Sequence, residues 1–506
     1  MTCARAAASA VAVALTLCAV LPAWGSRGSN LLESARAVGA ESDSARIARV
    51  ERGLLPAVAV RGRSDNGYPL SDRLRRYGVP GVSIAVIDGG RVAWARAYGT
   101  LVAAGATQVD TATLFQAGSI SKAVTAVAAL RLVERGVLRL DEDVNLRLRS
   151  WKVPASESTR EKPVTLRGLL SHSAGLNVPS FPGYDAGASL PTLLQVLRGA
   201  PPANTPPVRV ETTPGTRWSY SGGGMCIVQQ LLTDVSDRPF IDLLREMVLD
   251  PTGMTRTVGE QPVSASRAGS AATGHSAGAP VPGHWRVYPE LAAAGLWSTA
   301  PDLARFGVAV LNAIHGDGGA LLAAATAREM ISRQTGDWGL GFALGGVGDS
   351  MTVWHGGSTV GYTARMLLLP ATGQGIAVMT NGESEALIDE IGRAVAREYA
   401  WPVRPRVEKT LAAIDPAGLS ALAGRYRVEL GDRNADFAVR VEGSGKRRRL
   451  IITGPSGRPG ELLPLSALHF FSQDTGYEFT FTREGNVING IQIDQEGQSF
   501  TAHRLR

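Results

Sequence analysis

Apolar residues alternate with a period of two at Val82, Ile84 and Val86, stop at Asp88-Gly89-Gly90, and alternate again at Val92 and Trp94. Two such runs around an Asp-Gly turn predict a β-hairpin. Upstream, residues 30 to 79 read as helical, with mixed charges over Asp43 to Arg52 and Leu74 on an apolar side of Leu70 to Tyr77. After the hairpin comes an apolar helical run from Ala123 to Val133, which ends near Gly136, a suitable C-cap. Thr165 is placed to cap a short helix that stops at the Ser/Gly cluster of Ser171-His172-Ser173-Ala174-Gly175. A proline-rich loop (Pro201, Pro202, Pro206, Pro207, Pro214) leads to Trp218-Ser219-Tyr220-Ser221-Gly222-Gly223-Gly224, and Met225 to Val235 and Pro239 to Leu249 then read as helices. The alanine-, glycine- and serine-rich span Gln261 to Gly283 reads as a long surface loop. Thr299 as cap and Pro301 in the first turn open another helix. Strand-like runs return at Met351 to Trp354, Tyr362 to Leu369 and Gly375 to Thr380, followed by a helix over Ala386 to Tyr399.

A strand hairpin, a long helical middle, more strands and a closing helix predict an α+β fold. One antiparallel sheet is built from both ends of the domain and flanked by helices, with a helical region inserted. Pro402 to Pro416 marks a boundary, and beyond it short strand-like runs separated by Gly, Asp and Asn turns predict a small all-β barrel or sandwich. The expected organisation is a leader over residues 1–25, a main domain over 26–405 and a C-terminal β domain over 417–506. The leader carries Arg5, an uncharged apolar run from Ala6 to Leu21, and small residues at 23 and 25 around Trp24, as a cleaved signal peptide does. The mature chain is therefore expected in the periplasm or secreted, with no membrane span after signal removal.

Charge and cysteine content narrow the classes further. A net charge of +7 over 506 residues is modest, and the block Lys446-Arg447-Arg448-Arg449 reads as a solvated turn, so no nucleic-acid partner is expected. Cys3 and Cys18 leave with the signal, which isolates Cys226 among apolar neighbours as a buried thiol. No cluster of His, Cys, Asp and Glu has metal spacing, and no Gly-rich phosphate loop precedes a Lys-Ser/Thr pair; neither metal nor cofactor is expected.

Candidate chemistry sits at Ser119-Ile120-Ser121-Lys122. On a helix this spacing puts a hydroxyl and an amine on one face, one turn apart. The chain has only five lysines against forty-seven arginines, and only Lys122 has a serine three residues before it. Arginine cannot give up its proton, whereas a desolvated lysine can serve as the base for a serine nucleophile. Tyr220, in a glycine-rich loop that lets a substrate approach the backbone, is a second candidate base. His355-Gly356-Gly357-Ser358 could supply backbone donors that pair with the Ser119 amide in an oxyanion hole.

In this order, Ser119-Ile120-Ser121-Lys122, Tyr220-Ser221-Gly222 and His355-Gly356-Gly357 resemble the three signature motifs of the serine β-lactamase and penicillin-binding-protein superfamily. The closer resemblance is to the class C-like branch, which includes D-Ala-D-Ala carboxypeptidases, D-aminopeptidases and esterases. Residues 164–176 and 292–301 are similar to that branch as well, and the tail resembles the lipocalin-like domain of some members. The resemblance spans about residues 78–400. It implies Ser119 as the acylated nucleophile, Lys122 and Tyr220 as the base pair, and substrate or oxyanion contacts at Gly222, His355, Gly357 and Ser358. Two departures shift the expected substrate. Gly222 replaces the usual asparagine that binds the acyl amide, and His355-Gly356-Gly357 replaces Lys-Thr-Gly, so a substrate carboxylate would be held less firmly. The expected protein is an exported serine hydrolase for ester or amide bonds, an esterase or a D-amino-acid peptidase or carboxypeptidase. The alternative is a β-lactamase, or a penicillin-binding, cell-wall-recognition protein with little turnover. Its partners are small ester, β-lactam or D-amino-acid peptide substrates. Gly274-His275-Ser276-Ala277-Gly278 matches a nucleophile elbow but lacks the flanking buried strand and helix, and His172 is expected to be a structural histidine at a helix end.

Overall fold

A computed structural model describes residues 43–506, apart from 65, 318–320, 403–405, 431–432, 455–456, 496–497 and 506. The expected leader lies outside the described residues. From Arg46 onward the chain forms one compact unit.

A six-stranded antiparallel sheet forms the frame. Its strands are β1 (Gly81–Asp88), β2 (Arg91–Gly99), β3 (Ala343–Gly345), β4 (Thr352–Thr359), β5 (Tyr362–Leu369) and β6 (Gln374–Thr380), in the spatial order β2-β1-β6-β5-β4-β3. N-terminal strands lie beside strands from residues 343–380, so both ends of the domain build one sheet, as expected. Alternation in β1 shows one buried face, but both faces are covered. Val82, Ile84 and Val86 pack with Leu70, Leu74, Leu387 and Ile391 from helices α1 (Leu70–Tyr77) and α8 (Glu385–Glu398). Ala85 and Ile87 join the larger core on the other face, with Phe306 and Val310.

That larger core is helical. Helix α2 (Ile120–Glu134) is apolar almost all round and buried along nearly its whole length, as a helix enclosed by neighbours on every side must be. Helix α3 (Leu166–Leu170) follows, with Thr165 Oγ1 accepting from Gly168 N at its start. Helix α4 (Gly222–Ser236) begins at the glycines, three residues before the sequence pattern suggests, because Ser221 caps it through Gly224 N. Helices α5 (Phe240–Leu244), α6 (Leu291–Ala294) and α7 (Ala300–His315) complete the set that bears on the site, and Thr299 caps α7 as expected.

The span 261–283 is not a plain surface loop. Val263, Ala271, Ala272 and His275 are buried, and Leu114 exchanges backbone hydrogen bonds with Ser270 and Ala272. Small residues gave it a loop's composition, yet small residues are what allow a segment to lie flat against a core. The elbow-like stretch sits here on a two-residue hairpin, with Ser276 Oγ donating to Glu383 at 2.9 Å.

The tail closes into an eight-stranded antiparallel barrel, β7 (Gly424–Leu430), β8 (Arg433–Glu442), β9 (Arg449–Thr453), β10 (Pro459–Pro464), β11 (His469–Ser472), β12 (Glu478–Glu484), β13 (Val487–Gln495) and β14 (Gln498–Arg504), with each strand beside its sequence neighbours. Tyr426, Phe470, Phe479, Phe481 and Ile491 fill it. Among the described residues no helix is long and apolar enough to cross a membrane.

Candidate active site

The turn before α2 places the site. Phe115-Gln116 pairs with Trp297-Ser298, Ala117 N donates to Leu296 O at 2.9 Å, and Gly118 takes φ +52°, a left-handed conformation suited to glycine. Ser121 Oγ donates to Gly118 O and accepts from Leu296 N, which stitches the turn to the segment after α6. Ser119 thus stands at the N-cap of α2 with its hydroxyl uncommitted to capping. The buried Lys122 reaches back one turn: Nζ donates to Ser119 Oγ at 3.0 Å and to Ala293 O at 2.7 Å. It also lies 5.0 Å from the centroid of the Tyr220 ring. The hydroxyl, amine and phenol singled out in the sequence therefore converge.

Strand β4 forms the opposite wall. It runs unbroken through His355, where the sequence suggests a break, because its glycines serve close approach and not a turn. A Cβ on Gly357 would lie 2.0 Å from Ala117 O, and one on Gly118 would lie 2.8 Å from Ser358 N, so strand and turn touch backbone to backbone. Thr359 and Tyr362 flank a two-residue turn and Ser358 pairs with Thr363 in the next register position, which points the Ser358 amide away from β5 and towards the Ser119 turn. Glu383 holds that turn, accepting from Gly361 N at 3.0 Å, and its own carbonyl accepts from Arg458 of the barrel at 2.7 Å. Gly357→Ala is expected to cut kcat/KM by about 100-fold, since an ångström of misplacement has that effect; steady-state kinetics beside a thermal melt measure it.

Burial decides the electrostatics. It pushes His355 down to about 3, with the charge on Lys122 adding to the effect, and His355 Nδ1 lies 2.6 Å from Gly356 O. The ring is neutral, donates from Nδ1 and offers only a lone pair at Nε2. The carboxylate-binding cation of the third motif is therefore missing altogether, a stronger departure than partial charging. His172 is likewise held well below its ordinary value by burial, then by Lys122 and His355. Its Nδ1 accepts from Ser221 N at 3.3 Å and its ring lies 4.4 Å from that of Tyr220, so it is a structural histidine that shapes the tyrosine loop. Burial raises the Cys226 thiol, which is inert packing.

Of the sequence-derived site residues, Ser119, Lys122, Tyr220, Gly357 and Ser358 come together, and His355 lies behind them. Gly222 does not offer its amide to a substrate, because it donates to Pro179 O at 3.0 Å. A side chain there would meet the Phe181 ring at 2.9 Å, so Phe181 occupies the space an asparagine would need. Two groups escaped the sequence reading. Trp338, from the turn before β3, stands 5.7 Å from Tyr220, and nothing in its sequence neighbourhood marks it. Glu290 is fully buried, and burial raises it to about 7, outweighing its backbone amide and the Tyr184 hydroxyl, which act to lower it. Between about pH 4.3 and 7 the unfolded chain releases a proton that the folded chain keeps, so this group makes stability fall as pH rises through that window and level off above it. Glu290→Gln is expected to flatten the fall, as measured by urea unfolding at pH 5 and pH 8.

The family model described as beta-lactamase matches residues 62–400. The chain belongs to the beta-lactamase family. Within that family, penicillin-binding protein 4 of Amycolatopsis lactamdurans is 29% identical over 381 residues, 71% of this chain and 96% of its own. Esterase EstB of Burkholderia gladioli is 28% identical over 214 residues, 40% of this chain and 52% of its own. The octameric penicillin-binding protein homologue of Pyrococcus abyssi shares the fold, with a TM-score of 0.58 at 22% identity over 85% of this chain and 98% of that one. The protein is a hydrolytic enzyme, a serine hydrolase of the beta-lactamase family.

Proposed function

We propose that this beta-lactamase-family protein is exported and cleaves ester or amide bonds through an acyl-enzyme at Ser119, as an esterase or a D-amino-acid peptidase. The observation that carries the reading is the buried Lys122 amine 3.0 Å from Ser119 Oγ, beside Tyr220. Ser119 Oγ bonds to the substrate carbonyl carbon while its proton passes to the Lys122–Tyr220 pair. The Ser119 and Ser358 amides face the developing oxyanion, aided by the N-terminus of α2. The bond to the leaving group then breaks, and the pair returns the proton to the departing oxygen or nitrogen. Water repeats the sequence in reverse and frees Ser119. A neutral His355 and the Phe181 ring beside Gly222 support substrates other than conventional β-lactams. Export is supported by the leader pattern around Arg5 and the run from Ala6 to Leu21.

The test follows p-nitrophenyl butyrate, a D-Ala-D-Ala peptide and nitrocefin in parallel, with intact-mass detection of the adduct on Ser119. Turnover of the ester or the D-peptide well above nitrocefin is expected. The Amycolatopsis relative, named a penicillin-binding protein, favours a second reading, a penicillin-recognising protein with little turnover. Stable β-lactam acylation without turnover would support it, and fast ester turnover would sink it.

A further inference from the structure

The proposed mechanism uses Ser119, Lys122 and Tyr220 and leaves the aromatic rings around Tyr220 without a task. Trp218 is 44% exposed, two residues before Tyr220. Its ring centroid lies 6.3 Å from that of Tyr220 and 5.7 Å from that of Trp338. Trp338 continues the wall inward, standing edge-on to His355 at 5.6 Å. Two indoles therefore run from solvent to the phenol that handles the proton. The loop that carries the exposed ring is also held in place. Ser219 N donates to His172 O at 2.7 Å and Ser221 Oγ donates to Asn177 O at 2.7 Å, so the loop carrying Trp218 is tied down on its far side. Single exposed apolar side chains are common and need no task. What sets this one apart is its tilted contact, at 45°, with a second indole whose Nε1 is enclosed without a partner among the described residues, at the inner end of which sits an uncharged imidazole. The faces of these rings suit a flat apolar ring.

We propose that Trp218 and Trp338 form the leaving-group subsite, and that the group they take is flat, apolar and uncharged, such as the aryl alcohol end of an ester. Placement on the leaving-group side rests on the reading of Tyr220 as part of the pair that returns the proton to the departing atom.

Binding of 2-naphthol by calorimetry tests the subsite without any chemistry, with 2-naphthoate as its anionic counterpart. Wild-type protein is expected to bind 2-naphthol, Trp218→Ala to weaken it about 10-fold, and Trp218→Phe to recover most of the loss. 2-Naphthoate is expected to bind at least about 10-fold more weakly than 2-naphthol. Butyrate esters then place the subsite. The ratio of kcat/KM for 2-naphthyl butyrate to that for ethyl butyrate should fall about 10-fold in Trp218→Ala, because both esters give the same acyl-enzyme and differ only in what leaves. No naphthol binding, binding indifferent to Trp218, or a preference for naphthoate overturns the subsite. Naphthol binding that depends on Trp218 without any acylation of Ser119 leaves the subsite standing and overturns the proposed function instead.

Discussion

Ser119→Ala is expected to abolish covalent labelling by a fluorophosphonate probe and to lower kcat for the best ester substrate by about 10⁴-fold or more. Among the described residues, Ser119 Oγ is the only serine hydroxyl to which Lys122 Nζ donates, and Ser121, two residues on, is spent on Gly118 O and Leu296 N. Lys122→Met keeps the aliphatic stem and removes the proton carrier, and is expected to lose nearly as much activity. Groups that act as a unit lose their effect together, so the Ser119→Ala/Lys122→Met double variant should be no slower than the worse single one. Lys122→Met also leaves Ala293 O without its donor in a buried setting, which costs about 1–3 kcal/mol. A melt separates that structural loss from the catalytic one, because Ser119→Ala leaves Lys122 its bond to Ala293 O and should melt near the wild type. Labelling that survives in Ser119→Ala would remove Ser119 as the nucleophile.

The parts of this site visible in the sequence are those whose chemistry is local. Ser119 and Lys122 are one helical turn apart, so their meeting needs only the helix that the apolar run around them predicts. Thr165 and Thr299 cap helices because a hydroxyl three residues before an amide suffices. Tyr220 and His355 could be placed beside Ser119 only through resemblance to known motifs, since their approach depends on how β4 and the start of α4 pack. The same dependence hid Trp338, Glu290 and Ala293 O, whose roles come from neighbours far along the chain. His355 shows the limit from the other side. Its residue type suggested a partial charge, but burial and then the charge on Lys122 make it neutral, outweighing the bond to Gly356 O, which acts the other way. Burial is a property of the assembled fold.

Arg73→Met is expected to destabilise the protein by about 3–5 kcal/mol, the range for breaking a buried ion pair from one side. Arg73 is almost fully enclosed and forks onto Glu390, with Nε 2.6 Å from Oε2 and Nη2 bonded to Oε1. Nη2 also donates to Tyr77 OH and to Asp474 Oδ1, both at 2.8 Å. Glu390 comes from α8 and Asp474 from the turn between β11 and β12, so one guanidinium joins the sheet's outer helices to the barrel. Without it the Tyr77 hydroxyl at 2.8 Å is the one hydrogen bond left to the Glu390 side chain among the described residues, and a carboxylate in a dry interior loses its bidentate partner. Apolar replacement of both partners removes that penalty, so Arg73→Met/Glu390→Leu should regain most of the stability, as urea unfolding at pH 7 would show. Equal losses in the single and double variants would mean that the packing of Arg73, and not its charge, holds the barrel on. The third member adds a pH signature. Burial alone would raise Asp474, but Arg76 and Arg73 outweigh it and hold the carboxyl below its ordinary range. A depressed carboxyl stabilises the fold above its unfolded value of about 3.9, and that contribution is lost as the pH falls through the lower folded value. Asp474→Asn should therefore lower stability at pH 7 and shrink the further loss on acidification below about pH 4. Arg76 donates to Asp474 as well, at 2.6 Å, so Arg73→Met alone weakens this acid response without abolishing it.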